Sequence, residues 1–396
     1  MQKTILILAG SPYQVPLIER AKQQGHYVIT CDYLPENPGH KISDEYHNVS
    51  TTDKEAVLRL ARDRDVDGVA TISSDPAIPT VAHVAEVLEL PGPSVESVSI
   101  LTEKDRFRSV LARIGVNVPK YYVLESDAEA DGAIGDIKRY VVKPIDSCGS
   151  KGVTFCDNQP DRISSAVRAA LAHSRSKRCI VEEYIDGHQI HGDGYVEDGK
   201  LVYSYLGDHV FYTRTDNFIP VSTKWPCGVS ESVLEEVKQQ VEAIVSAAQY
   251  RYGPVNIEAR VTSEGQVFIV EVGPRNGGNF VPIIQHHLTG FDFVDRIIAG
   301  ALDLPYADQT ANRKQSIGAH YIIHADQPGK FGGIAVSADA QRHVFYHSVF
   351  KRKGDRVDRF TGSNTTVGVF LLQFDSIAER DNLIDAAESH FRLQLT

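Results

Sequence analysis

Apolar runs and one-sided apolar stretches alternate along the first part of the chain. Residues 3–9 read as a buried strand, 10–14 as a turn, 15–24 as a helix and 27–31 as a second strand ending at Asp32. A helix over 54–64, a strand over 68–72 and a helix over 79–88 extend the pattern. It predicts a parallel sheet with its loops at the C-terminal ends of the strands. Gly10 and Asp32 are two parts of a dinucleotide fingerprint, but one glycine stands where G-x-G-x-x-G is required, so a plain Rossmann-like sheet is expected.

The pattern changes twice. A helix is expected over 104–114, and Pro119 then opens a stretch rich in strand and turn signals. Residues 304–313 carry little periodicity, and beyond them strands alternate with Gly-rich turns before a closing helix over 376–391. A chain of 396 residues is too long for one core. Three domains are therefore expected, at 1–95, 96–303 and 304–396.

Composition narrows the function. The net charge of -11 is spread along the chain, without the basic clusters that nucleic acid requires. No apolar run approaches the roughly 18 residues of a membrane span. The five cysteines are widely spaced and lack a C-x-x-C, so neither a disulfide framework nor a zinc site is suggested, and a cytoplasmic location is expected.

Three constellations carry candidate chemistry. In PVNIEARVTSEGQVFIVEVG, a two-residue turn at Glu264 and Gly265 sets Ile257, Ala259 and Val261 opposite Val272, Val270 and Phe268 on one apolar face. Glu258 then lies across from Glu271, and Asn256 across from Gly273. Opposed like charges are unfavourable, so either one carboxylate keeps a proton or a hard cation such as Mg²⁺ sits between them. A longer loop would instead shift the register and pair Glu271 with Arg260 or Arg275. In RYVVKPIDSCGSKGVTF, a buried strand delivers Lys143 to a loop with Ser147, Gly149, Ser150 and Gly152, which is either a hairpin or a cover for phosphates. A lysine ending a buried strand needs an anion nearby. In CIVEEYIDGHQIHGDGYV, Glu182 and Glu183 followed by Tyr184 and Ile185 are either an exposed turn or one wall of a purine pocket, with the acids on ribose hydroxyls.

Together and in this order, these segments resemble the ATP-grasp superfamily, in its carboxylate-amine ligase, L-amino acid ligase and biotin carboxylase-like branch. The resemblance implies an α/β and α+β chain: a Rossmann-like pre-ATP-grasp domain, a two-lobed ATP-grasp domain and a small C-terminal domain. It implies ATP with Mg²⁺, or alternatively Mn²⁺. Lys104 and Lys143 match the phosphate-contacting lysines, residues 146–152 the glycine-rich loop, and Glu182, Glu183, Tyr184 and Ile185 the adenine hinge. Glu258 and Glu271 match the metal carboxylates, and Arg275 the arginine at the acyl phosphate. Two positions depart from the family. Gln189 stands where a second ribose-binding Glu is usual, and Gly273 where a metal-binding Asn is usual, with Asn256 or Asn276 as the replacement. The implied activity is ATP-dependent coupling of a small carboxylate to an amine through an acyl phosphate, in a possible homodimer. Carboxylation or formyl transfer on the same fold, and ATP binding without turnover, are the alternatives. Lys224 is either another phosphate contact or a surface lysine, and His286 and His287 either face the substrate or are structural.

Overall fold

The computed structural model describes residues 2–129, 138–146, 152–157, 159–214, 219–306 and 315–396. Strands β1 (Thr4–Leu8), β2 (Tyr27–Cys31), β3 (Glu45–His47) and β4 (Gly68–Ala70) form a parallel sheet in the order β3-β2-β1-β4. Leu6 and Leu8 face one helical layer, and Ile5 and Ile7 the other. Burial on both faces is why this strand is apolar throughout. The expected helices occur as Val15–Gln23, Lys54–Asp63 and Ile78–Val87. The loop after β1 is filled by the chain itself, since a Cβ at Gly10 would lie 2.3 Å from the His40 ring.

A second, antiparallel sheet contains β5 (Tyr121–Leu124), β6 (Arg139–Pro144), β7 (Thr154–Asp157) and β8 (Cys179–Glu183), ordered β5-β8-β6-β7. The helix Pro160–His173 packs against it.

The third sheet is the largest. It takes β9 (His188–Glu197), β10 (Lys200–Phe211), β11 (Pro220–Trp225), β12 (Tyr252–Val261), β13 (Val267–Gly273) and β14 (Ile317–Ile323). Past β14 come β15 (Gly329–Val336), β16 (Val344–Val349), β17 (Arg356–Val357), β18 (Gly368–Phe374) and β19 (Phe391–Leu395). The order of the large sheet is β13-β12-β9-β10-β11-β14-β18-β16, so it runs continuously past residue 303, and β17-β15-β19 form a small sheet beside it. The expected closing helix is instead Ile377–Asp385 and Ala387–His390, and the chain then turns to strand. Phe391 is buried and Arg392 exposed, and this two-residue alternation pairs β19 with β15.

The β12–β13 hairpin reaches the expected pairing by a different route. Its connection has three residues, Ser263 to Gly265, with Gly265 at φ 82° and Thr262 N donating to Gln266 O at 3.0 Å. Near the turn Ala259 therefore faces Ile269, and Val261 faces Val267, not Val270 and Phe268. A β-bulge between Glu258 and Ala259 then takes up one residue of β13, so that Glu258 pairs with Glu271 and Asn256 with Gly273. The turn and the bulge offset each other.

Candidate active site

Strand alternation and register line up one row of side chains across the large sheet. Glu271 faces Glu258, and Glu258 faces His191. His209, on β10, faces Thr223, and Thr223 faces His320. The row floors a cleft of about 1170 Å³, whose other walls come from the second sheet, the helix Lys104–Arg113 and the loop after β4. Lys104, Lys143, Glu182, Glu183, Tyr184 and Ile185 line the cleft, as do Gln189, Asn256, Glu258, Glu271 and Arg275.

At one end are the paired carboxylates. Burial and the charge of Glu271 push the Glu258 carboxyl up to about 7. Two facing acid groups, one of them reluctant to ionise, suit a hard divalent cation with oxygen ligands. Arg275 Nη2 lies 3.5 Å from Glu271 Oε1, its Nε is paired with Asp75, and its Nη1 donates to Asn276 O at 3.2 Å. A Cβ at position 273 would sit 3.3 Å from Glu271 Oε1 and 3.4 Å from Arg275 Cζ. Glycine there lets the Glu271–Arg275 pair close over the backbone.

Behind this pair, Asp193 is fully buried and accepts from Asn256 Nδ2 at 2.9 Å, Asn276 Nδ2 at 3.0 Å and Gly277 N at 2.8 Å. Burial raises its carboxyl to about 6 against those donors. Asn256 lines the cleft with its amide nitrogen held by Asp193 and His191. The backbone at Gly277 comes close to the Asp193 carboxylate, where a Cβ would lie 3.1 Å from Asp193 Oδ1 and 3.0 Å from Asn256 Nδ2. Both atoms are fixed by hydrogen bonds. Gly277→Ala is therefore expected to destabilise the fold by about 1–3 kcal/mol, read as a lower urea midpoint, and to lower activity by displacing Asn256.

The second group joins the helix Lys104–Arg113 to β6 and β8. Glu182 is buried and accepts from Arg108 Nε at 2.6 Å and from Lys143 Nζ at 2.8 Å. Burial alone would raise its carboxyl, but Arg108 and Lys143 outweigh that and hold it down at about 2. The anion beside Lys143 is thus Glu182. Of the two readings of this segment, an exposed turn and a purine-pocket wall with both acids on ribose hydroxyls, neither describes Glu182, which its strand position turns toward Arg108 and Lys143. Glu183 stays near the surface, with Oε2 3.4 Å from Lys120 N. Lys104 Nζ donates to Ile145 O at 3.4 Å.

At the hinge, the backbone N–H groups of Glu183 and Tyr184 donate to Lys120 O and Arg139 O. Arg260 Nη1 donates to Tyr184 OH and to Ile185 O, both at 2.8 Å, and Arg139 and Arg260 lie over the Tyr184 ring. Gln189 bridges the groups: its Oε1 accepts from Arg260 Nη2 at 2.8 Å and its Nε2 donates to Glu258 Oε2 at 3.3 Å. A Glu at 189 would add a third carboxylate beside Glu258, and the amide supplies a donor there.

Gly152, at φ 70°, packs near His173 and Pro144, whereas Ser147, Gly149 and Ser150 lie outside the described residues. Lys224 pairs with Asp381 at 3.1 Å. His287 stacks on Phe345 at 3.7 Å, and His286 is exposed.

Sequence reasoning missed Arg108, Asp193, Asp75 and the histidine row, and named Arg260 only as a partner for Glu271. Two had a local signal: Arg108 follows Lys104 by one helical turn, and Asp193 alternates with His191 and Gln189 on β9. Asp75 had none, since its contact with Arg275 spans 200 residues.

The comparisons with known proteins concern the domain and the fold. A family model described as an ATP-grasp domain matches residues 138–282. An uncharacterized protein of Sinorhizobium fredii, y4rH, is 27% identical over 337 residues, covering 80% of this chain and 68% of that protein. The carbamoyl phosphate synthase large chain of Thermotoga neapolitana is 25% identical over 67% of this chain, which spans only 24% of that protein's length. The crystal structure of an L-amino acid ligase from Bacillus licheniformis superposes with a TM-score of 0.86 at 21% identity, covering 100% of this chain and 99% of the other. No described helix is long and apolar enough to cross a membrane. Residues 138–282 match the ATP-grasp domain, and the chain shares the fold of the L-amino acid ligase along its whole length.

Proposed function

We propose that this chain is an ADP-forming ligase that uses ATP to convert a small carboxylic acid to an acyl phosphate and then couples it to an amine. The observation that carries the reading is Glu258 facing Glu271 across the β12–β13 pair, with Arg275 beside Glu271 at 3.5 Å. The substrate carboxylate oxygen attacks the γ-phosphorus of ATP and ADP leaves. The amine nitrogen then attacks the acyl carbon, the C–O bond to phosphate breaks, and the nitrogen loses a proton. Positioning and cationic groups supply most of such catalysis.

Glu258 and Glu271 would hold Mg²⁺, with Asn256 beside them, and the ion would supply neutralisation of phosphate charge. Lys143 turns from Glu182 toward phosphate when nucleotide enters, and Lys104 approaches from its helix. Arg275, fixed by Asp75, binds the acyl phosphate. The L-amino acid ligase likeness supports the ligase reading, and the carbamoyl phosphate synthase likeness keeps carboxylation as the alternative. The test is ADP release with Mg²⁺ and pooled carboxylates and amines. ADP formed only with both substrates supports the ligase, dependence on bicarbonate supports the carboxylase, and nucleotide binding without ADP release overturns both.

A further inference from the structure

At the far end of the row from Glu258 and Glu271, the cleft changes character. Its walls there come from β10, β11, β14 and residues 360–366, and include Phe211, Ile219, Ile322 and Phe360. Ile219, Ile322 and Phe360 pack into one cluster, and Phe211 meets the His209 ring edge to face at 5.5 Å. Among the described lining residues, none contributed by residues 189–225 or 315–366 is charged; Arg260 and Arg275, which act on the His209 and His191 rings, come from β12 and the loop after β13.

Two polar side chains in this region lack partners among the described residues. Both ring nitrogens of His320, which is 1% exposed, and Oγ1 of Thr366, which is 5% exposed, have none. Leaving buried polar atoms unpaired is unfavourable. His191 and His209 add a flat surface, their rings stacked 4.2 Å apart. Burial holds the His320 imidazole neutral, down at about 3.

We propose that this end of the cleft is a specificity subsite for an uncharged, ring-sized apolar group on the substrate, with His320 and Thr366 offering hydrogen bonds to a neutral polar atom on it. The proposal rests on the ligase reading for the reaction but not for the binding. A second carboxylate or a free ammonium placed against Phe360 and Ile322 would meet no charged side chain from β10, β11, β14 or residues 360–366 among the described lining residues. An aromatic or branched aliphatic group would gain from apolar burial and from ring contacts with Phe211, Phe360 and the stacked imidazoles.

The chain holds one tryptophan, Trp225, fully buried with its ring 5.6 Å from that of His320. Its emission therefore reports on this subsite without turnover. The experiment titrates 3-phenylpropionate and, separately, adipate into the full chain with Mg²⁺ and ADP, following Trp225 emission. A parallel assay measures ADP release with each acid and pooled amines. The expected result is a saturable emission change with 3-phenylpropionate at a concentration about tenfold or more below that for adipate. Phe360→Ala and His320→Gln are each expected to weaken the 3-phenylpropionate response, and to raise its KM more than that of acetate. Thr366→Val, close in shape to the native residue, keeps the comparison available if the other variants do not fold. It should weaken binding of 3-(4-hydroxyphenyl)propionate, which carries a neutral polar atom on the ring. No saturable response to 3-phenylpropionate, or adipate binding as tightly, overturns the subsite. An intact emission response with no ADP formed from any pair of substrates overturns the ligase reading and upholds the subsite.

Discussion

Glu271→Gln is expected to lower ADP formation by about a thousandfold, and Glu258→Gln by a similar factor, because each removes half of the anionic donor set proposed to hold the cation. The two carboxylates face each other at one register position on the bulged hairpin. A cation relieves their repulsion, and its loss leaves the phosphates unneutralised. Glu258→Gln should have a second consequence, opposite in sign. Burial and Glu271 raise the Glu258 carboxyl from 4.5 to about 7 in the folded chain. The folded state therefore holds this proton more tightly than the unfolded one. Without metal, the stability tied to Glu258 is fully present below pH 4.5 and is lost as pH rises through 7. At pH 8 the metal-free Glu258→Gln protein should melt above the parent, and Mg²⁺ should raise the parent's melting temperature more than the variant's. Turnover unchanged in Glu271→Gln would refute the metal assignment.

Glu182→Gln is the second large effect, and it falls on stability. Glu182 neutralises Arg108, which is 2% exposed and also donates to Val270 O at 3.1 Å. Removing one partner of a buried ion pair costs about 3–5 kcal/mol, since the remaining charge stays desolvated. Arg108→Leu removes the other partner, and should be less harmful because Lys143 still pairs with Glu182. The pH dependence has the ordinary acid sign. Glu182 sits near 2 in the folded chain against 4.5 otherwise, so its contribution is fully present above pH 4.5 and is lost as pH falls toward 2. Urea midpoints of parent and Glu182→Gln should differ widely at pH 7 and by clearly less at pH 3. An equal gap at both pH values would show that Glu182 acts by packing alone.

Local chemistry made much of the fold and part of the site legible. β2 lies at the residues that the apolar pattern marks, and the helix at Lys104 begins where expected. The Glu258–Glu271 pairing was readable because a hairpin's partners are close in sequence. The route to it was not, since a three-residue turn and a bulge cancel and only the summed register reaches the carboxylates. The closing helix lies where expected, in two segments, but the strand after it was missed, because Phe391 and Leu393 alternate with polar residues over only five positions.

By itself, the sequence determined the parallel N-terminal sheet, the hairpin carrying both acids and the lysine at the end of β6. Each rests on interactions among residues near one another along the chain, which periodicity and turn chemistry report. Tertiary structure alone decided what those groups touch. It set Glu182 between Arg108 and Lys143, Asp75 against Arg275, and Gln189 between Arg260 and Glu258. It also brought His191, His209 and His320 into one row through the pairing of β9, β10, β11 and β14. These contacts join strands and loops tens to hundreds of residues apart. Their identity depends on which sheet edges meet, and no local pattern in the chain encodes that.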